Sequence, residues 1–112
     1  MPKKEYRHKT VAGFFSAHRD RWIKGKYNLL KKGAECFCLA GKVQDLYEDE
    51  IDRRNAFNRL SDTIEKLHPT IFKRITEISG ARRGSDDVTI CFNDRSGITI
   101  DEVVEVSHHA RV

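Results

Sequence analysis

The sequence lacks the features that mark membrane-spanning and secreted proteins. No apolar run approaches the roughly 20 residues that a membrane-spanning helix needs, and the opening residues Met1 to Glu5 lack the apolar stretch of a secretory signal. The three cysteines are an odd number, which without such a signal favours reduced thiols over a disulfide framework. We therefore expect a cytoplasmic protein that makes no membrane contact.

Length and composition predict one small folded domain. A chain of 112 residues can bury roughly 65% of its unfolded surface, which supports a modest core without disulfides. Hydrophobic residues make up 38% of the chain and charged residues 34%, so the sequence is polar yet too rich in aliphatic and aromatic residues to be disordered. We expect a basic N-terminal arm over residues 1–9 and a single helical domain over residues 10–112.

Positive charge is concentrated in the first part of the chain. Residues 1–42 contain eleven Lys or Arg and three acids, whereas residues 43–112 contain ten Lys or Arg and fourteen acids, within a net charge of +4. Such a gradient bears on partners rather than on fold. The basic part predicts contact with phosphates or with an acidic protein. The alternative is that the chain's own acidic part, or solvent alone, balances this charge.

Apolar spacing predicts most of the helices. A first helix is expected to begin near Thr10 and to end at Gly25, and a second to run from about Cys36 to Glu48, with residues 26–33 as a connector. Gly41 inside the second helix indicates that another element packs very closely there. The apolar stripes are Val11, Phe14, Phe15, His18 and Trp22 in the first helix, Phe57, Leu60, Ile64 and Leu67 in a third, and Ile71, Phe72, Ile75 and Ile78 in a fourth that begins at Pro69.

The segment near residues 88–100 admits two interpretations. The β-branched run Val88 to Phe92 favours a short strand, and a helix segment is the competing interpretation. Thr99 followed three residues later by Glu102 is a capping-box pattern for a last helix. We therefore predict a mainly α fold, a compact helical domain of four to five helices with one short strand or hairpin near residues 88–100.

Four short motifs resemble a family of small uncharacterised proteins from actinobacteria and their phages. They are Trp22 to Gly25 followed by Gly33, Cys38 to Gly41, Phe92 to Asp94, and Thr99 to Val103, and they occur in that order within residues 10–112. Phe92 stands where this family commonly has Trp, and Lys42 stands where a small or apolar residue is usual. The family has no assigned activity. The resemblance therefore implies an actinobacterial or phage origin and does not imply a mechanism.

Cysteine and histidine residues allow two chemical hypotheses. A thiol of Cys36 or Cys38, activated by a helix start, could act with a histidine base and with Asn93 or Asp94 as orienting group in a cysteine-dependent hydrolase. A zinc site could combine the three cysteines with a histidine, but Cys-x-Cys is too tight for the usual zinc knuckle. The hydrolase base would be His68, His108 or His109. The zinc site would use Cys91 as its third cysteine and either His108 or His109 as its histidine. Because free cysteine is most often a small core residue, we predict no catalytic residue, no cofactor and no metal.

The strongest functional feature is a basic set with interleaved aromatic side chains. Cations attract phosphates or an acidic surface, and Trp or Tyr can stack on bases or anchor a protein interface. No helix-turn-helix, zinc-finger or RNP signature accompanies the set. The leading hypothesis is therefore a non-enzymatic interaction protein that binds an acidic surface of a host protein. Nucleic-acid binding is the alternative, and the hydrolase is a second alternative. The predicted partner-binding residues are Arg19, Arg21, Trp22, Lys24, Lys26, Tyr27, Lys31 and Lys32.

Overall fold

The computed structural model describes residues 9–112, which form six α-helices and one β-hairpin. The elements are α1 (Val11–Ala17), β1 (Asn28–Lys31), β2 (Ala34–Phe37), α2 (Leu39–Leu46), α3 (Glu50–Leu67), α4 (Pro69–Glu77), α5 (Asp86–Asp94) and α6 (Ile100–Ala110). A 3-10 turn, Arg19–Arg21, follows α1. The mainly α prediction is confirmed. The predicted basic arm over residues 1–9 lies outside the described residues, apart from the exposed Lys9.

Local capping chemistry sets where several helices begin. The side chains of Thr10 and Asp49 accept hydrogen bonds from backbone N–H groups in the first turns of α1 and α3. At α6 the predicted capping box is confirmed, since Thr99 Oγ1 accepts from Glu102 N at 3.3 Å and Glu102 Oε1 accepts from Thr99 N at 3.1 Å. Pro69 occupies the first turn of α4, where its missing N–H costs no intrahelical bond.

Helix α3 lies at the centre of the core. It packs against α2, α4, α5 and α6, while α1 packs against α6. The predicted apolar stripe of α3 is confirmed, because Phe57, Leu60 and Ile64 are all buried. The end of the chain belongs to the same core: Val112 is fully buried, and its carbonyl accepts from Ala12 N at 3.2 Å.

The predicted strand or hairpin near residues 88–100 is wrong, because Val88 to Phe92 lies inside helix α5. Asp86 and Asp87 occupy the first turn, where the positive end of the helix dipole favours carboxylates. The buried residues repeat with helical rather than alternating spacing, which a five-residue β-branched run had concealed. They are Val88, Thr89, Phe92 and Asn93.

The hairpin lies earlier in the chain, in and beyond the segment predicted as a connector. Strands β1 and β2 pair antiparallel, with Lys31 opposite Ala34 and Leu29 opposite Cys36. Helix α2 consequently begins at Leu39 and not at Cys36. The predicted first helix is also too long, since α1 ends at Ala17.

Candidate interaction surface

The hairpin turn is exposed and tightly constrained. Lys32 and Gly33 connect the two strands with φ values of 51° and 80°, as the type I′ turn of a two-residue hairpin requires. A lysine in this left-handed conformation costs on the order of 1 kcal/mol, because its Cβ crowds the following carbonyl. Every residue from Lys24 to Gly33 is exposed. This turn therefore presents its side chains to solvent on a defined backbone.

The base of the hairpin is fixed to α2. The carbonyl of Tyr27 accepts from Cys38 N at 3.2 Å, and a Cβ at Gly41 would lie 1.9 Å from the same carbonyl oxygen. Only glycine allows this contact between backbones. The expectation that an element packs closely at Gly41 is confirmed, and that element is the segment leading into β1.

A buried amide joins the segment before the hairpin to α2 and α5. Asn93 is fully buried, and its Oδ1 accepts from Trp22 Nε1 at 2.5 Å and from Leu39 N at 3.1 Å. Its Nδ2 donates to Ile23 O and to Asp94 Oδ1, both at 3.0 Å. All four hydrogen-bonding positions of the amide are therefore occupied, as a buried polar group requires.

The end of α5 also holds the residues that follow Trp22. Asp94 Oδ1 accepts from Gly25 N at 2.9 Å, and the carbonyl of Arg95 accepts from Lys24 Nζ at 2.6 Å. Three of the four short motifs of the sequence therefore meet at one hydrogen-bonded junction, whose centre is Asn93. Trp22, Asn93 and Asp94 take part through their side chains. Ile23, Gly25 and Leu39 contribute backbone groups.

The predicted basic set divides into two groups. In the first, Arg19 pairs with the carboxylate of Asp101, Arg21 Nε donates to the carbonyl of Glu35 at 2.7 Å, and Lys24 and Trp22 belong to the junction just described. In the second group, the cations have no hydrogen-bonding or ionic partner within residues 9–112, and all are exposed. These are Lys26, Lys31 and Lys32. The structure therefore brings together only part of the predicted surface.

Large apolar side chains accompany the unpaired lysines. Tyr27 is 44% exposed, Leu29 39% and Leu30 71%. Single exposed apolar side chains are ordinary on protein surfaces, but three large ones within one short segment are typical of a contact site. We call the set Lys26, Tyr27, Leu29, Leu30, Lys31 and Lys32 the hairpin surface.

A cavity of about 240 Å³ opens beside the base of the hairpin. Its walls are mostly apolar, with Tyr27 and Ile90 among them, and its charged lining residues are Lys26 and Asp94. Partial burial, with a smaller contribution from the Asp86 carboxylate, raises the pKa of the Tyr27 phenol. Tyr27 is consequently uncharged at neutral pH and offers an apolar ring with a polar tip.

The cysteines occupy positions that suit packing. Cys38 is buried, and its Sγ accepts from Gly41 N at 3.2 Å, which makes it the N-cap of α2. Burial raises the pKa of the Cys38 thiol. Burial together with the nearby Asp87 carboxylate raises the pKa of Cys91. A cysteine nucleophile needs the opposite shift, so these environments favour structural thiols.

The other candidate ligands do not form a metal-binding group. Among residues 9–112, no three His, Cys, Asp or Glu side chains converge in the way that a metal ion needs. His68 packs against Phe92 with ring centroids 5.4 Å apart, while His108 and His109 are exposed in the last turn of α6.

Sequence reasoning missed two features of this region. Leu29 and Leu30 lie in a segment predicted to be a connector, so their exposure on a strand was not expected. A two-residue Lys-Gly turn between short apolar runs is nevertheless a recognisable hairpin signal. Lys42 was noted only as unusual, and it is buried with its Nζ 2.8 Å from Asp45 Oδ2 and 3.8 Å from the centroid of the Phe14 ring. No local pattern marks a lysine for burial.

No protein-family model, no curated protein and no solved structure matches this chain. In the part of the chain that the structure describes, no helix combines the length and the apolar character needed to cross a membrane.

Proposed function

We propose that this protein is a non-enzymatic interaction module that binds an acidic protein surface through the hairpin surface. The observation that carries the proposal is Leu30, which is 71% exposed beside Lys31 and Lys32, two cations for which residues 9–112 supply no carboxylate. Contact between a leucine side chain and water is unfavourable, and a partner that covers the side chain removes this cost. The lysines around it select a partner of opposite charge and increase the rate of encounter.

Several features support a protein partner over a nucleic acid. Leucine contributes to protein interfaces through buried apolar area, whereas phosphate binding depends on clustered cations and on groups that contact bases. Of the eight predicted contact residues, the cations Arg19, Arg21 and Lys24 are held by the fold itself. The charge left for phosphates is consequently smaller than the sequence suggested, while the apolar area is larger.

The resemblance to phage and actinobacterial proteins adds a biological setting to this proposal. In that setting the partner would be a host protein with an acidic surface. The proposal places binding in the cytoplasm, where the free thiols Cys36, Cys38 and Cys91 would remain reduced.

Affinity capture from a cell extract, with and without nuclease, tests the proposal. Wild type is compared with Lys26/Lys31/Lys32→Glu and with a control of equal charge change at exposed positions elsewhere, Lys66/Lys73/Arg82→Glu. We expect a nuclease-resistant protein partner that the hairpin variant loses and the control retains, and that binds the purified wild type directly with a measurable Kd.

Two results would contradict the proposal. Capture that disappears with nuclease would indicate nucleic-acid binding. Equal loss with both variants would show that net charge, rather than the hairpin surface, determines binding. Circular dichroism of each variant checks that its fold is intact.

A further inference from the structure

We infer that the hairpin binds its partner by strand addition, in which an extended acidic segment of the partner pairs with the outer edge of β1. This inference rests on the proposed function and specifies its geometry. Strand β1 is exposed along its whole length, and among the described residues it pairs with β2 alone. Strand β2, by contrast, is flanked on its other side by the bridge between Phe37 and Trp22.

The hydrogen-bond register shows which backbone groups face this edge. Tyr27 O accepts from Cys38 N, so Tyr27 and Cys38 form a hydrogen-bonded pair. Since such pairs alternate along an antiparallel ladder, Leu29 pairs in the same way with Cys36, as does Lys31 with Ala34. The N–H and C=O groups of Asn28 and Leu30 consequently point away from β2.

The opposite strand supports this register. Phe37 stands opposite Asn28, and its carbonyl accepts from Ile23 N at 3.0 Å. The backbone groups of Phe37 therefore point away from β1, and those of Asn28 point away from β2. No backbone hydrogen bond to Asn28 or Leu30 from outside the ladder occurs within the described ranges. Two donors and two acceptors at this edge therefore have no backbone partner among residues 9–112, and an added strand could pair with them.

The surrounding charge selects the occupant. Lys26, Lys31 and Lys32 flank the edge without ionic partners in residues 9–112, so a second copy of the same strand would bring like charges together. Lysines on an edge strand oppose self-pairing for this reason. The same lysines attract a segment with carboxylates, and since Leu29 and Leu30 point to opposite faces of the strand, one of them meets the face on which the segment carries its apolar side chains. The occupant that fits is an extended segment in which acidic and apolar residues alternate.

A short capped peptide of alternating Glu and Val is the appropriate ligand for a direct test. Its control is the same peptide with every backbone nitrogen methylated, which preserves charge and side chains but removes the donors at both edges of the peptide strand. In the free protein, the Asn28 and Leu30 amides should exchange hydrogen faster than those of Leu29 and Lys31. At about 1 mM peptide, the Asn28 and Leu30 amides should become protected, and the methylated peptide should bind about tenfold more weakly.

A pair of protein variants provides a second measurement. Leu30→Pro removes the outward N–H while leaving the ladder with β2 intact, since proline is accepted where an edge N–H faces solvent. Leu30→Ala removes the same side chain but keeps the N–H. We expect Leu30→Pro to bind the unmethylated peptide at least about fivefold more weakly than Leu30→Ala does.

The outcomes separate this inference from the proposed function. Equal binding of both peptides would overturn strand addition and leave acidic recognition by the lysines in place. Failure of wild type to bind either peptide would also overturn it, while the capture experiment judges the proposed function independently. Protection of Asn28 and Leu30 that rises with protein concentration alone would identify a second copy as the occupant and overturn the acidic segment.

Discussion

The indole Nε1 of Trp22 donates to Oδ1 of Asn93 at 2.5 Å, across 71 positions of sequence. The same oxygen accepts from Leu39 N, so one buried amide fixes the start of α2 and the segment that leads to the hairpin. The hairpin surface is exposed, but its base rests on this junction. Stability and the proposed binding therefore involve different residues of the same basic region.

Removing the Asn93 amide should destabilise the fold strongly. Asn93→Ala leaves the Trp22 indole N–H, the Leu39 N–H and the Ile23 carbonyl without their partner, and we expect a loss of about 2–4 kcal/mol in the free energy of unfolding. Urea denaturation followed by circular dichroism measures it. Asn55→Ala, at an exposed position of α3, is the control and should change the value by less than about 0.5 kcal/mol. Similar effects of the two substitutions would contradict the role of the junction.

Gly41→Ala tests the contact between α2 and the hairpin base. Alanine normally stabilises a helix interior by about 1 kcal/mol relative to glycine. Here the new Cβ would lie 1.9 Å from the Tyr27 carbonyl oxygen, so we expect net destabilisation and loss of amide protection in β1 and β2. Hydrogen exchange followed by NMR measures both. A stabilised variant with an unchanged hairpin would show that the contact is not as close as described.

The Cys38 thiol should act as a helix cap, and its deprotonation at high pH should lower the free energy of unfolding. Cys38→Ala removes the acceptor for Gly41 N and should cost about 1 kcal/mol, whereas Cys38→Ser keeps a capping oxygen and should cost less. Equal costs for the two variants in urea denaturation at pH 7 would argue against capping by Cys38.

The direction of the pH effect follows from the burial of this thiol. Burial raises the pKa of Cys38 above its ordinary value of 9.0, so the folded state holds the proton more tightly than the unfolded state does. The contribution of this thiol to the free energy of unfolding should therefore be constant below about pH 8 and should fall as the pH rises past 9. The fall should be shallower in Cys38→Ser, and an equally steep fall in both proteins would contradict the assignment.

The ion pair of the buried Lys42 and the half-buried Asp45 should respond asymmetrically to substitution. Lys42→Met keeps an unbranched side chain against the Phe14 and Phe37 rings and should change stability by less than about 1.5 kcal/mol. Asp45→Ala leaves the ammonium group over those rings without its carboxylate and should cost about 1–3 kcal/mol. Thermal denaturation of the two variants shows which substitution causes the larger loss of stability. A larger loss in Lys42→Met would show that the ammonium group itself is required.

How much the sequence predicted depended on whether the signal was local. The capping box at Thr99, the start of α4 at Pro69 and the buried stripe of α3 all follow from spacing within one element, and all are confirmed. Helix α5 was mistaken because Val88, Thr89 and Ile90 have β-branched side chains, while its helical register becomes clear only when the buried Asn93 is included. The partners of Asn93 lie far away in sequence, and no periodicity reveals them.

Composition likewise could not predict which cations of the basic set are hydrogen-bonded within the fold. Lys24 and Lys26 look equivalent in sequence, yet Lys24 reaches a carbonyl at the end of α5 whereas Lys26 lines the cavity beside the hairpin. Only the tertiary fold determines which cations remain available. The sequence predicted a basic surface in this part of the chain but could not indicate that its most exposed large apolar side chain would be Leu30.

The most direct test of the account is the affinity of Leu30→Ser for the partner obtained by capture, measured by calorimetry beside the free energy of unfolding of the same preparation. Because Leu30 is 71% exposed, stability should change by less than about 0.5 kcal/mol. Because it is the exposed centre of the hairpin surface, the Kd should rise at least about tenfold. An unchanged Kd with an intact fold would contradict the claim that this protein binds its partner through the hairpin.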